Sequence, residues 1–169
     1  IITIEDERYF RHFGIDLYGI ARAAVANFLA MHVVQGGSTL TQQLIKNYFL
    51  TAQRSYWRKL NEVIMAILLE RKFSKGEILE AYLNEIYLGL GAYGIAAASL
   101  LYFDKSVHQL SIEEVAYLAA LPKAPNNYHP FRQQSAALAR RNWVIDQMVI
   151  TGAIKQQEAG DAKKKPLNI

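Results

Sequence analysis

The chain has 169 residues, 51% apolar and 20% charged, with net charge +4, a pI near 9.2 and no cysteine. Its length and composition support a globular domain with a substantial core and exclude a disordered chain, and without cysteine there is no disulfide frame, thiol nucleophile or thiolate metal site. The basic balance points to an anionic partner (nucleic acid, a phosphorylated substrate or a membrane surface), although no apolar run reaches the roughly 18 residues of a spanning helix and no signal peptide is visible.

The chain opens directly inside a motif, at Ile1-Ile2-Thr3-Ile4, which reads as a domain excised from a longer protein. Residues 5–14, Glu-Asp-Glu-Arg-Tyr-Phe-Arg-His-Phe-Gly, pack acids, an aromatic pair and a histidine into little more than two helical turns. Aromatics beside Glu5 can exclude water and raise its pKa toward that of a neutral-pH base or acid. The plainer reading is a short amphipathic helix with acids near its positive end.

From Asp16 onward, Leu17, Ile20, Ala21, Ala24, Val25, Phe28 and Leu29 form one apolar stripe on a helix. Two readings stay open, a core face or a membrane-surface helix, the latter because the opposite face carries little charge. In the segment 35–43, Thr39 and Gln42 fit a capping box, and Gly36 and Gly37 allow a tight approach to the helix start. Leu40, Leu44, Ile45, Tyr48 and Phe49 are expected to face inward, leaving Gln42, Gln43, Lys46 and Asn47 on a polar face. The backbone N–H groups at that helix start are candidates for holding an anion, with Lys46 adding charge.

A further helix is predicted from Ser55 to about Phe73, with Arg58 and Glu62 four apart. The seven uncharged residues 63–69 predict that it is buried most of the way round, so that Glu62 faces a cleft. Ser74 and Glu77 fit a second capping box, opening a helix expected to end near Gly89 with Ile78, Leu79, Tyr82, Leu83 and Ile86 as its core stripe. Glu80 and Glu85 are expected in solvent. Gly91, Gly94 and the alanines at 96–98 permit close helix packing, and Ser111 caps a helix that Pro122 ends. Residues 122–130, with three of the four prolines, should form a rigid loop, and a last long helix is predicted from Ser135 to Thr151. The tail at Lys163-Lys164-Lys165-Pro166 reads as a linker.

Certain chemistries drop out. The histidines at 12, 32, 108 and 129 include no i,i+4 pair, so a zinc-protease site is excluded, and there is neither a G-x-S-x-G elbow nor a P-loop. Carboxylates, basic residues and amides remain, the equipment for transfer at an acetal carbon bearing a phosphate leaving group.

With these segments set out, the sequence resembles the peptidoglycan glycosyltransferase domain of family 51, found in class A penicillin-binding proteins. Glu5-Asp6 through His12 and Gly14 is similar to its E-D-x-x-F-x-x-H-x-G motif, and residues 36–43 followed by Lys46-Asn47 resemble the second. Arg58-Lys59-Leu60-Asn61-Glu62 looks like the third, residues 78–84 the fourth, and Leu121-Pro122-Lys123-Ala124-Pro125 with Asn127 and Pro130 the fifth. One departure is Tyr9, where the family usually has Phe; it adds a hydroxyl and keeps the aromatic wall.

The resemblance implies an all-α, lysozyme-like fold with a larger lobe and a smaller membrane-facing lobe, spanning residues 1–165, with 166–169 starting a linker to an absent C-terminal domain. It implies polymerisation of lipid II into glycan strands, with loss of undecaprenyl diphosphate and inversion at the anomeric carbon. Glu5 would take the proton from the acceptor hydroxyl and Glu62 would assist on the donor side. Asp6, Tyr9, His12, Thr39, Gln42, Gln43, Lys46, Asn47, Arg58, Lys59 and Lys123 would serve substrate binding. A divalent cation (Mg or Mn) would accompany the substrate diphosphate, with no organic cofactor. The implied partners are lipid II, the growing strand, the extracytoplasmic face of a bacterial inner membrane and a fused transpeptidase domain. Three rivals stand beside this reading. One is a lysozyme-like hydrolase, another a non-catalytic glycan- or lipid-binding module. The third, a nucleic-acid binder, rests on charge alone and is disfavoured because the basic residues are spread over several helices.

Overall fold

Helical periodicity along almost the whole sequence is realised as α1 (Ile2–Glu5), α2 (Leu17–Ala30), α3 (Leu40–Phe49), α4 (Tyr56–Lys72), α5 (Lys75–Glu85), α6 (Ile95–Phe103), α7 (Ile112–Ala120), α8 (Gln134–Ile150) and α9 (Gln156–Lys164). The structure, a computed structural model, describes residues 1–33, 36–49 and 55–169, with Phe49 described in its backbone only. Among these residues the only strand-like pairing is an isolated bridge between Tyr87 and Tyr93, so the all-α expectation holds. The chain divides into two compact units: an N-terminal one of Ile2 and residues 4–82, and a C-terminal one of Ile1, Thr3 and residues 83–169.

In the N-terminal unit α3 packs along α4. Leu40, Thr41, Gln42, Leu44 and Ile45 of α3 are buried, so Gln42 leaves the polar face expected for it, while Tyr48 is half exposed. The side chain of Phe49 lies outside the described residues, as does Gln35. The turn after His12 sits directly on α4: Gly14 has φ +116°, and a Cβ there would lie 2.7 Å from the Ala66 carbonyl oxygen, so only glycine fits.

In this unit one of two open readings falls and one expectation is overturned. The stripe on α2 is not a core face, because Leu17, Ile20, Val25, Phe28 and Leu29 are all exposed, Phe28 at 82%, and the buried residues are Gly19 and Ala23. The helix turns Gly19 and Ala23 inward and its large apolar residues outward. Nor is α4 buried most of the way round: its buried residues are Glu62 and Ala66, while Trp57, Leu60, Ile64 and Leu68 are exposed.

In the C-terminal unit α7 is the central element, packed against α6, α8 and α9, with residues 116–120 buried all round. Ser111 and Glu114 form the expected capping box, as do Ser74 and Glu77 in the other unit. Helix α5 stops at Glu85 rather than near Gly89. Beyond it, the Leu88 N–H donates to Ala92 and the Gly94 N–H to Ile86, closing a small loop. Gly94, at φ +83°, leaves no room for a Cβ, which would lie 2.3 Å from the Asn84 carbonyl oxygen. Of the core stripe expected for α5, Ile78 and Tyr82 are buried on the helix, Ile86 is buried just beyond it, and Leu79 and Leu83 are half-buried. Helix α9 went unpredicted, and Lys163 and Lys164 close it. The buried Arg141 guanidinium donates to the carbonyls of Lys163 (3.2 Å) and Lys165 (2.8 Å), satisfying orphan acceptors at that helix end.

Candidate active site

The N-terminal unit gathers most of the residues singled out above. Helix α1 ends at Glu5, and the next residue, Asp6, is buried with its Oδ2 accepting from His12 Nε2 at 2.6 Å and from the Leu40 N–H at 3.0 Å. That carboxylate therefore caps the start of α3. Thr39 and Gln42 complete the cap: the Thr39 N–H donates to Gln42 Oε1 (3.0 Å) and the Gln42 N–H to Thr39 Oγ1 (3.1 Å). The Thr39 hydroxyl in turn donates to the Gly14 carbonyl (2.7 Å), tying α3 to the turn after His12. At this helix start the Thr39, Leu40 and Gln42 amides are already taken by Gln42, Asp6 and Thr39, and the Asp6 carboxylate supplies a negative charge there.

Two neighbouring glutamines then reach the two candidate carboxylates. Gln43 Nε2 donates to Glu5 Oε2 (3.5 Å) while its Oε1 accepts from the Tyr82 hydroxyl (3.3 Å). Gln42 Nε2 donates to Glu62 Oε1 (3.4 Å). Each amide is held at both ends, which fixes its orientation. The surroundings of the two acids differ. Glu62 is 1% exposed and accepts from Lys59 Nζ at 2.8 Å, and Lys59 also donates to Ser38 Oγ (2.9 Å). Glu5 is only partly buried. Burial, and then the charge of Glu5, pushes the Tyr82 phenol well above its ordinary range.

Tyr9 is wholly buried, edge-on to His12, and its hydroxyl donates to the Lys75 carbonyl. Burial foremost, then the charges of Glu70 and Asp6, push its pKa up. Asp6, Tyr9, His12, Thr39 and Gln42 are all buried and hydrogen-bonded to protein groups, so here they build the wall of the site rather than its surface. The surface is left to Glu5, Gln43 and Lys59, to Lys46 and Asn47 exposed near the end of α3, and to the partly buried Arg58 in the first turn of α4. Lys123 is exposed in a 3₁₀ turn of the C-terminal unit.

Sequence reasoning missed Glu70, Lys75 and the role of Tyr82. Lys75 carried a usable signal: it is the first residue of α5, where a cation opposes the helix dipole. Among the described residues no group of three or more His, Asp or Glu is placed to hold a metal, and Asp6, Glu62 and Glu70 each already accept from protein donors. The described residues offer no ready ligand set for a resident ion.

Chemically, one accessible carboxylate beside one buried, cation-paired carboxylate is an arrangement that separates roles. Glu5 can approach a hydroxyl within hydrogen-bond reach, as a general base must. Glu62, sealed by Lys59 and Gln42, can act through its field and through what it positions.

The family described as Transglycosylase matches residues 1–149. The chain is similar to penicillin-binding protein 1A of Aquifex aeolicus, with 51% identity over 168 residues, covering 99% of this chain and 23% of that protein. It is 46% identical to penicillin-binding protein 1A of Escherichia coli over 167 residues, covering 99% of this chain and 20% of the relative. The crystal structure of penicillin-binding protein 1A from Haemophilus influenzae matches 75% of this chain and 16% of that one, with a TM-score of 0.54 at 33% identity. The chain thus spans about a fifth of the length of the curated relatives it matches.

Proposed function

This chain belongs to the transglycosylase family, and from that premise we propose that it polymerises lipid II into peptidoglycan glycan strands with release of undecaprenyl diphosphate. The observation that carries the reading is the inequality of the two acids. Glu5 is accessible and anchored by Gln43, whereas Glu62 is buried against Lys59. Glu5 is then the base that takes the proton from the acceptor hydroxyl as it attacks the anomeric carbon from the face opposite the diphosphate. Glu62 assists on the donor side by holding Lys59 and Gln42 in place. Lys46, Asn47 and Arg58 supply positive charge and hydrogen bonds to the sugar–diphosphate, where negative charge grows as the leaving group departs. A divalent cation taking part in the reaction would arrive with the diphosphate as part of the substrate.

The exposed apolar residues of α2 and α4 support a reading in which the N-terminal unit rests on the outer face of a bacterial cytoplasmic membrane, where a lipid-linked substrate resides. The greater length of the relatives supports a fused transpeptidase domain elsewhere in the whole protein. The deciding experiment supplies lipid II and polymeric glycan separately to the chain and to its Glu5→Gln variant. We expect polymer from lipid II with the wild type, none with the variant, and retained lipid II binding and melting temperature in both. Hydrolysis of polymeric glycan in place of polymerisation would establish a hydrolase instead.

A further inference from the structure

Behind Glu5 and Asp6 runs a largely buried chain of polar groups, with the Lys75 side chain 21% exposed, that the proposed reaction does not consume. His12 Nε2 donates to Asp6, and His12 Nδ1 accepts from the Gly14 N–H at 3.1 Å and faces Lys75 Nζ at 3.1 Å. Lys75 Nζ also donates to Glu70 Oε1 at 2.8 Å, and that same oxygen accepts from the Thr41 hydroxyl at 2.7 Å. The His12 and Asp6 side chains are 2% and 3% exposed and that of Glu70 is 7%.

Every member has its partner and the directions are mutually consistent. Both donors facing Nδ1 require it to be unprotonated, which leaves the ring proton on Nε2, where Asp6 receives it. Lys75 is held from its other sides too. Its ammonium lies 4.5 Å from the centre of the Tyr9 ring, and its carbonyl accepts the Tyr9 hydroxyl. A lysine at the first position of a helix stands where the dipole disfavours a cation, and such breaches of local preference concentrate at functional sites.

We infer that Lys75 and Glu70 are positioning residues for the transfer reaction: they lock His12 as the Nε2–H tautomer, so that Asp6 is pinned to the start of α3 and the adjacent Glu5 is presented at a fixed place. The inference rests on the proposed role of Glu5. Removing the Lys75 ammonium leaves Nδ1 with one donor and permits the ring to flip or its proton to move to Nδ1, either of which takes the Nε2–H away from Asp6. The damage falls on the alignment of the base. Substrate contacts made by Lys46, Asn47 and Arg58 stay in place.

The test compares Lys75→Met, Glu70→Gln and Glu5→Gln with the wild-type 169-residue chain, using lipid II turnover and ring-nitrogen NMR of His12, assigned against a His12→Asn variant. In the wild type His12 should be neutral with its proton on Nε2; a ring protonated on Nδ1 overturns the inference whatever the variants do. Lys75→Met should lose about tenfold or more in kcat with KM within about twofold, approaching the hundredfold that an ångström of misplacement costs, and its His12 spectrum should show a mixture. Glu70→Gln keeps a neutral acceptor for Thr41 and Lys75 but loses the charge that holds the ammonium at Nδ1, so it should fold even if Lys75→Met does not and lose a few-fold in kcat at unchanged KM; wild-type kcat there would overturn the positioning role of Glu70. Wild-type kcat in Lys75→Met beside an inactive Glu5→Gln would sink the positioning role alone. Wild-type polymerisation by Glu5→Gln would sink the assignment of the base itself.

Discussion

Lys59 and Glu62 show how unequal two ends of an ion pair can be: the lysine side chain is 49% exposed and the glutamate side chain 2%. Removing the exposed end strands the buried one, so Lys59→Met should destabilise the domain by about 1–3 kcal/mol, less than for a fully buried pair because water reaches the lysine side. Denaturant titration checks this, and a loss below about 0.5 kcal/mol would mean that Glu62 is solvated on opening. Lys46 behaves in the opposite way. It is exposed on α3, so Lys46→Ala should leave the unfolding midpoint almost unmoved while lowering turnover by roughly a hundredfold, as for loss of one charge-stabilising group. Normal turnover would remove Lys46 from the site. At this scale the capping boxes of Thr39, Ser74 and Ser111 were legible in the sequence because their partners lie three residues apart. Asp6 with Leu40, Gln43 with Glu5 and Lys75 with His12 were not, since those pairs are 34, 38 and 63 residues apart and only folding brings them together.

Helices tell a different story from side chains. Periodicity located α2, α4 and α8 well, but it reports only that one face is apolar and not what that face meets. The same stripe would suit a protein core or a lipid surface, and on α2 and α4 the structure leaves it facing outward. Since Phe28 and Leu29 are exposed, Phe28→Ser with Leu29→Ser should cost almost no stability and keep the helical circular dichroism, yet weaken binding to anionic liposomes. Unfolding of that double variant would show that these residues are covered within the protein. Helix α9 escaped notice for the converse reason. Its sequence QQEAGDAKK has almost no apolar signal, and it is held by two small buried residues, Ala159 and Ala162, and by the Arg141 guanidinium at its end.

For the molecule as a whole, titration should be felt in both units. Burial pushes the Tyr102 phenol up to about 12, and the phenols of Tyr9, Tyr82 and Tyr117 higher still. A raised folded pKa means stability fully present below the unfolded value near 10 and lost as pH climbs through the folded one, so alkaline unfolding should coincide with tyrosinate absorbance from both units. On the acid side, burial raises Glu114, but its bonds to Lys105 and the Ser111 amide outweigh that and leave it lowered. That contribution is present above the ordinary carboxylate range and fades as pH falls through the folded value; Lys105→Met should flatten this part of the acid limb in a pH series of melting temperatures. Helix α2, finally, buries Gly19 and Ala23, which offer little apolar surface, and its other ties to the unit are exposed ones such as Arg22 with Glu7 (3.7 Å) and Tyr18 beneath the Arg8 guanidinium. Its order therefore depends on its surroundings more than that of any helix seated by large residues. An amphiphile in the buffer becomes a structural component: hydrogen exchange along α2 should slow as detergent tail length increases, while α7 exchanges at an unchanged rate, and inhibitors ranked in detergent-free buffer would be ranked against an incomplete target.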